Sequence, residues 1–502
     1  MNLRHLLLAG TSALTVLIAP ALAHAQSSRF DTVVNAPFKG DFPTPEAVDL
    51  LTDELYFQRA VQVYLWSLPA VNMWAMKEGS EKVYGAGYNV LPVWKERLNA
   101  RTKVTTPNSD CLYAMGYVNI AKEPIVVEVP PNNQGILDDF YQRPLTGPTV
   151  KGKTLTGDFG FAGPDGGKGG KYLIVPWDYK GPEPKGYYVY RSRTNNVFVF
   201  YRGFFSDPKD LKGANQLIAS TRIYPYGKRD TAAAMKFPDG SETPANMLFP
   251  ADGTYFDMLA RFVADETVDQ ADMDWRGMMA AIGIQKGKAF EPTAHQRELL
   301  DKAAKAAFKM SKLEIWNGLR TQPGGQYYPD RKWVNVFAGQ NPVFQSNPTF
   351  TNLVQRIAYF TSAYATSPGM VVDLVEKGAK YPSTWLDSDG NYLEGGNTYQ
   401  LHLPPDVPAA NFWSVTVYDA VHASGLENGQ PLPSLNSMDK PAQNSDGSYD
   451  LYFGPKAPTG KEANWVATVP GAGYFILLRL YSPREAFFKQ TWKPDDVKRI
   501  AN

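Results

Sequence analysis

Between residues 108 and 205 the chain is written in short apolar and aromatic runs, at 112–119, 124–130, 171–176, 186–191 and 195–203, punctuated by Gly, Pro and Asn. Runs of that length between turn formers predict β-strands. A second such block lies at 398–404, 411–420, 448–453, 464–470 and 474–482. Its last run, Tyr474-Phe475-Ile476-Leu477-Leu478-Arg479-Leu480-Tyr481, is apolar on both faces and predicts a central strand. The spacing changes to that of helices at 255–264, 275–282, 293–316 and 349–377, the last interrupted at Pro368-Gly369. Near the N-terminus, Thr44-Pro45-Glu46 supplies an N-cap, a proline at N1 and an acid in the first turn. A helix from there to Glu78 should kink at Pro69. Strands grouped in blocks argue for antiparallel sheets. The predicted fold is therefore α+β and β-dominated, with two antiparallel, jelly-roll-like β-sandwich domains and a helical layer between them. Its expected divisions are 26–245, a helical connecting region at 246–380, and 381–502.

Residues 1–25 read as a signal peptide: Arg4 and His5, an apolar run containing Pro20, then Ala23-His24-Ala25 as a small-x-small cleavage pattern. The expected product is a soluble periplasmic or secreted protein with no integral membrane segment. The 502 residues carry 51 basic and 50 acidic side chains, a balance that gives no electrostatic case for nucleic acid. Cys111 is the only cysteine; it excludes an intrachain disulfide and a thiol zinc site.

Several longer motifs carry a resemblance. Tyr64-Leu65-Trp66-Ser67-Leu68-Pro69, Thr106-Pro107-Asn108-Ser109-Asp110 and Val126-Val127-Glu128-Val129-Pro130-Pro131 resemble domain-of-unknown-function family 1254. Asp389-Gly390, the stretch from Asn411 to Asp419, Leu478-Arg479-Leu480-Tyr481 and Trp492-Lys493-Pro494 resemble its usual C-terminal companion, family 1214. The resemblance implies a secreted bacterial protein with two β-sandwiches, and it brings no catalytic residues. Members of the companion family often carry Asn-Arg-Tyr near Ser434-Leu435-Asn436-Ser437; this chain lacks it.

The missing motifs narrow the chemistry. There is no Gly-x-Ser-x-Gly elbow. The Gly-rich run 163–171 has the wrong spacing for a phosphate loop and reads as a flexible loop. His295, His402 and His422 show no metal-ligand spacing. No metal site or cofactor is assigned; calcium at Asp387-Ser388-Asp389-Gly390-Asn391 or at 444–450 is the alternative to plain Gly-containing turns. Acid–base work then falls to carboxylates and tyrosine, with Asp110, Asp139 and Tyr141 as catalytic candidates. Asn108, Arg143, Tyr188, Arg191 and His422 are candidates for substrate contact. Each has a structural counter-reading. Asn108 to Asp110 can simply open strand 112–119 as an Asx-turn. Asp139 and Arg143 can form an ordinary i,i+4 ion pair. The run from Tyr187 to Asn196 can be a hairpin of packed tyrosines. Cys111 reads as a buried thiol. The function expected is a hydrolase or lyase acting on a carbohydrate or other polyhydroxy or polymeric substrate. A non-catalytic glycan-binding or envelope-assembly protein is the alternative, and a metal-dependent hydrolase comes third.

Overall fold

The computed structural model describes residues 29–150 and 152–500; the expected signal peptide lies outside them. Contacts divide the chain into two compact units at Arg59/Ala60. The first unit holds a two-stranded hairpin pairing Phe38 with Pro43, and an ion pair between Arg29 and Glu54 at 3.1 Å. Thr44 accepts from the Ala47 amide at 3.3 Å and so starts α1 (Pro45–Tyr84) at the place the sequence marks. The helix runs on through Pro69. In the turn before the proline, the Trp66 carbonyl accepts from Arg356 Nη1 at 2.7 Å. Gly85, at φ +89°, then ends it.

The first β region comprises β1 (Leu112–Asn119), β2 (Ile125–Val129), β3 (Gln134–Asp139), β4 (Thr146–Val150), β5 (Lys153–Thr156), β6 (Asp158–Gly160), β7 (Gly170–Pro176), β8 (Tyr187–Ser192) and β9 (Asn196–Gly203). A helix, α2 (Lys212–Ala219), and β10 (Arg222–Pro225) follow. They make a six-stranded sheet in the order β10-β2-β7-β8-β4-β5 and a four-stranded sheet in the order β1-β9-β3-β6. Both sheets feed one buried cluster. Leu112, Leu137, Phe159 and Val199 enter it from the smaller sheet; Val127, Tyr172, Ile174 and Ile223 enter from the larger. Each such side chain contributes about 1.5–3 kcal/mol by leaving water.

The helices α3 (Thr254–Asp265), α4 (Met273–Ala281) and α5 (Ala294–Leu313) come next. α5 opens on a capping box between Thr293 and Gln296 and runs into a π-helical turn, Glu314–Gly318. α6 (Leu353–Phe360) and α7 (Pro368–Val371) complete this stretch. The second β region contains β11 (Ala379–Lys380), β12 (Ser383–Thr384), β13 (Thr398–Leu403), β14 (Trp413–Asp419), β15 (Ser434–Asn436), β16 (Tyr449–Gly454), β17 (Trp465–Ala467), β18 (Tyr474–Tyr481) and β19 (Lys498–Ile500). β18 is central, as its sequence predicts: it pairs with β14 on one edge and with β11 and β12 on the other. A second sheet runs β17-β16-β13-β19, and Val415, Ile476, Leu401 and Leu451 share its core.

The fold is mixed α+β with several sheets. Four features differ from expectation. Helix (27%) and strand (25%) are balanced, partly because α1 alone takes 40 residues. Two strand pairs, β7/β8 and β16/β17, are parallel; roughly ten residues join each pair, enough chain to run back along one strand. The helix expected over 349–377 is two short ones. Asn352 caps the first through the Gln355 amide at 3.1 Å, and Ala365 at φ +57° turns the chain out before Pro368. Finally, β8 and β9 are not a hairpin, because they lie in different sheets. The crossing is held by the Glu266 carboxylate, which accepts from the Asn195 and Asn196 amides and from Asn196 Nδ2. Among the described residues no helix is long and apolar enough to cross a membrane.

Candidate functional site

The loop before β1 is where sequence candidates and structure meet. The Asn108 carbonyl oxygen accepts from the Asp110 amide at 2.6 Å, the Asx-turn of the structural reading. The same side chain also donates to the Tyr481 hydroxyl, which ties the loop to β18. Asp110, buried, accepts from the Ser414 hydroxyl, from Asn436 Nδ2 at 2.7 Å and from Tyr481 at 3.5 Å. Its oxygens are thus taken by side chains of β14, β15 and β18. Arg479, buried in β18, donates to Thr416 Oγ1 at 2.9 Å, to the Tyr418 hydroxyl at 2.5 Å and to the Pro107 carbonyl at 3.3 Å. Thr106 holds φ +39°, a costly conformation for a β-branched residue.

This clamp forms one wall of a pocket of about 660 Å³, counting the part open to solvent. Thr106, Asn108 and Tyr113 line it from the loop and β1; Phe200 and Arg202 come from β9. The π-turn gives Ile315, and the chain after α6 gives Tyr364 and Met370. The second β region contributes Tyr381, Ser383, Trp385, Phe475, Leu477 and Arg479. Burial holds the phenols of Tyr113, Tyr359 and Tyr364 well above the ordinary tyrosine range, so all three are neutral hydroxyls at pH 7. Those of Tyr113 and Tyr364 have no hydrogen-bond partner among the described residues. Arg202 resembles neither its neighbours nor Arg479: its Nε is buried with no partner, and Nη2 meets only Met370 Sδ, at 3.4 Å.

The remaining candidates lie elsewhere. Asp139 accepts from the Tyr141 amide at 2.8 Å and from the amide and Nε of Arg143 at 3.0 and 2.7 Å. The pair closes a tight turn at the end of β3, with Gln142 at φ +58°, and shares no helical face. Arg143 stands 3.9 Å from both Asp269 and Asp272, and Tyr141 packs on Trp66, which stacks on Trp275 at 4.9 Å. Asp139, Tyr141 and Arg143 are therefore together, in a cluster that does not line the pocket. Tyr188 packs on Tyr172 in the first core, and Arg191 pairs with Glu183 at 2.6 Å. His422 is exposed, 3.6 Å from Asp419. Of the sequence candidates only Asn108 lines the pocket.

Two loops gain an explanation. The Gly-rich run is hydrogen-bonded around buried Asp165, which accepts from the Gly160 and Gly169 amides and from Tyr172. Asp387 and Asp446 each accept backbone amides of their own turns. Among the described residues no group of three or more His, Cys, Asp or Glu is placed to hold a metal ion. Burial pushes the Cys111 thiol up to about 12, which suits a structural role.

Asp158, at the start of β6, accepts from the Gly369 amide at 2.8 Å beside the pocket residue Met370. Burial raises its carboxyl to about 6 from an ordinary 3.8. A raised pKa favours the folded state at low pH, and that contribution is lost as pH climbs from about 4 through 6. The shift corresponds to at most about 3 kcal/mol. Asp158→Asn should therefore flatten the fall in melting temperature between pH 4 and 7; an unchanged profile would contradict this assignment.

Residues 88–225 match the model of the protein family of unknown function DUF1254, and residues 378–485 match that of DUF1214. No curated protein matches the chain. Among solved structures, the VPA0106 protein of Vibrio parahaemolyticus is 18% identical, with a TM-score of 0.51 over 90% of this chain and 100% of its own; that likeness concerns the fold alone. An uncharacterised protein of Burkholderia cenocepacia is 12% identical, with a TM-score of 0.38 over 96% of this chain and 95% of its own, too low to support an argument. The Asp110 network joins the two matched segments, and the pocket draws residues from both. The chain pairs a DUF1254 region with a DUF1214 region.

Proposed function

We propose that this is an exported hydrolase or lyase that takes a small polyhydroxy or related organic molecule into the Arg202–Arg479 pocket and works on it by tyrosine acid–base chemistry. In this reading each sheet pair is a jelly-roll-like sandwich, and the helices between them supply the third wall of the site. The observation that carries the proposal is a pocket with two neutral, unpartnered phenols beside a guanidinium. A hydroxyl in that setting can donate a proton or a hydrogen bond to an oxygen that gains charge. Tyr113, Phe200, Ser383, Trp385 and Phe475 are all buried, which favours a monomer-sized substrate over a polymer chain. Asp110, with its oxygens already engaged, acts in this scheme by positioning the loop.

The test incubates the purified protein with pooled sugars, sugar acids, glycoconjugates and esters and reads new products by mass spectrometry. Tyr364→Phe keeps the ring against Phe198 and Phe200 and should lower turnover at least tenfold without lowering the melting temperature. A melting shift with no product from any pool would replace the enzyme with a binding protein. Full activity in the variant would remove Tyr364 from the chemistry.

A further inference from the structure

The free edge of Arg202 indicates which molecules the pocket takes. Two guanidiniums of this chain show what such an edge can hold: Arg261 uses Nε and Nη2 together on Glu78 at 2.7 and 2.8 Å, and Arg229 uses the same pair on Glu128. Arg202 presents the same two nitrogens, yet Nε has no partner and Nη2 faces only a thioether sulfur. Arg202 is half-buried, and a guanidinium N–H that is cut off from water without a partner is unfavourable unless something else completes it. Arg479, by contrast, is already occupied by Thr416, Tyr418 and Pro107, so the pocket has one open cationic fork rather than two. One planar fork suits one planar anion. Phe200, Phe337, Trp385 and Phe475 offer apolar faces for the body attached to it.

Resting on the pocket reading above, we propose that the ligand is a small carboxylic acid, bound as its carboxylate across Nε and Nη2 of Arg202, with the rest of the molecule, a sugar or hydrocarbon ring, against those side chains. Met370, a flexible thioether, stands where the carboxylate would bind and swings aside on binding.

The test measures affinity by calorimetry for acids paired with their own amides: benzoate with benzamide, phenylacetate with phenylacetamide, glucuronate with glucuronamide. At least one acid should bind tenfold or more tighter than its amide, a charge-assisted pair being worth that much. Arg202→Gln should erase the preference, and Arg202→Lys should restore only part of it. Met370→Ala should tighten the acid and leave the amide unchanged. It also serves as the check if the arginine variants fail to fold. Amides binding as well as acids, or an unchanged preference in Arg202→Gln, would overturn the carboxylate and leave the pocket standing. Binding of neither class would overturn both.

Discussion

Asp110→Asn should lower the stability of the second unit by about 2–4 kcal/mol, seen as an earlier midpoint in urea. The carboxylate accepts from a hydroxyl, an amide and a phenol. Asparagine can keep an oxygen toward Asn436 but puts an NH₂ where the Ser414 and Tyr481 hydroxyls now donate; both hydroxyls must turn to accept, and Tyr481 already accepts from Asn108, so the buried network loses bonds and its charge-assisted character. Ser414→Ala removes a single donor and should cost about 1 kcal/mol. If Asp110→Asn melts like the parent protein, the clamp is not what joins the loop to β18. The variant also separates two roles: a general base would lose turnover per folded molecule, whereas a positioning residue would lose folded molecules first.

A larger effect is expected at Gly160. Its φ of +77° lies in the left-handed region, and a Cβ there would fall 1.8 Å from the Asn133 carbonyl oxygen. Neither backbone can yield without disturbing β6 or its pairing with β3. Gly160→Ala should cost about 4 kcal/mol or more and appear mainly as insoluble chain. Gly460 is the control, because its φ is +73° with nothing within 4 Å of a Cβ. Alanine there bears only the strain of the backbone angle, about 1 kcal/mol. Equal behaviour of the two variants would show that the clash is relieved cheaply.

The strands were legible where apolar composition is unbroken, as in β1 and β18. β4 and β5 were not, since Thr146-Gly147-Pro148-Thr149-Val150 reads as turn and only its neighbours make it strand. The candidate site was barely legible. Its residues run from Thr106 to Arg479, and nothing local unites them; tertiary folding does. The sequence does hold one signal for it: Arg202 and Arg479 are lone cations in strands that are otherwise almost wholly apolar, Val197 to Tyr201 and Tyr474 to Tyr481. A charge in such a run must be paired, hydrated or waiting for a ligand. The dense acidic and tyrosine-rich runs, more conspicuous in the sequence, proved to be turns and core, because side chains close in sequence most easily bond to one another.

The Asp110 clamp bears on how such chains can recombine. One matched segment brings the carboxylate; the other brings the hydroxyl, amide and phenol that receive it, at 414, 436 and 481. A chimera joining residues 88–225 of this chain to the partner segment of another must supply donors at those three places, or bury an unanswered charge at the join. Those three positions of the partner's sequence are therefore the first to read when halves are matched.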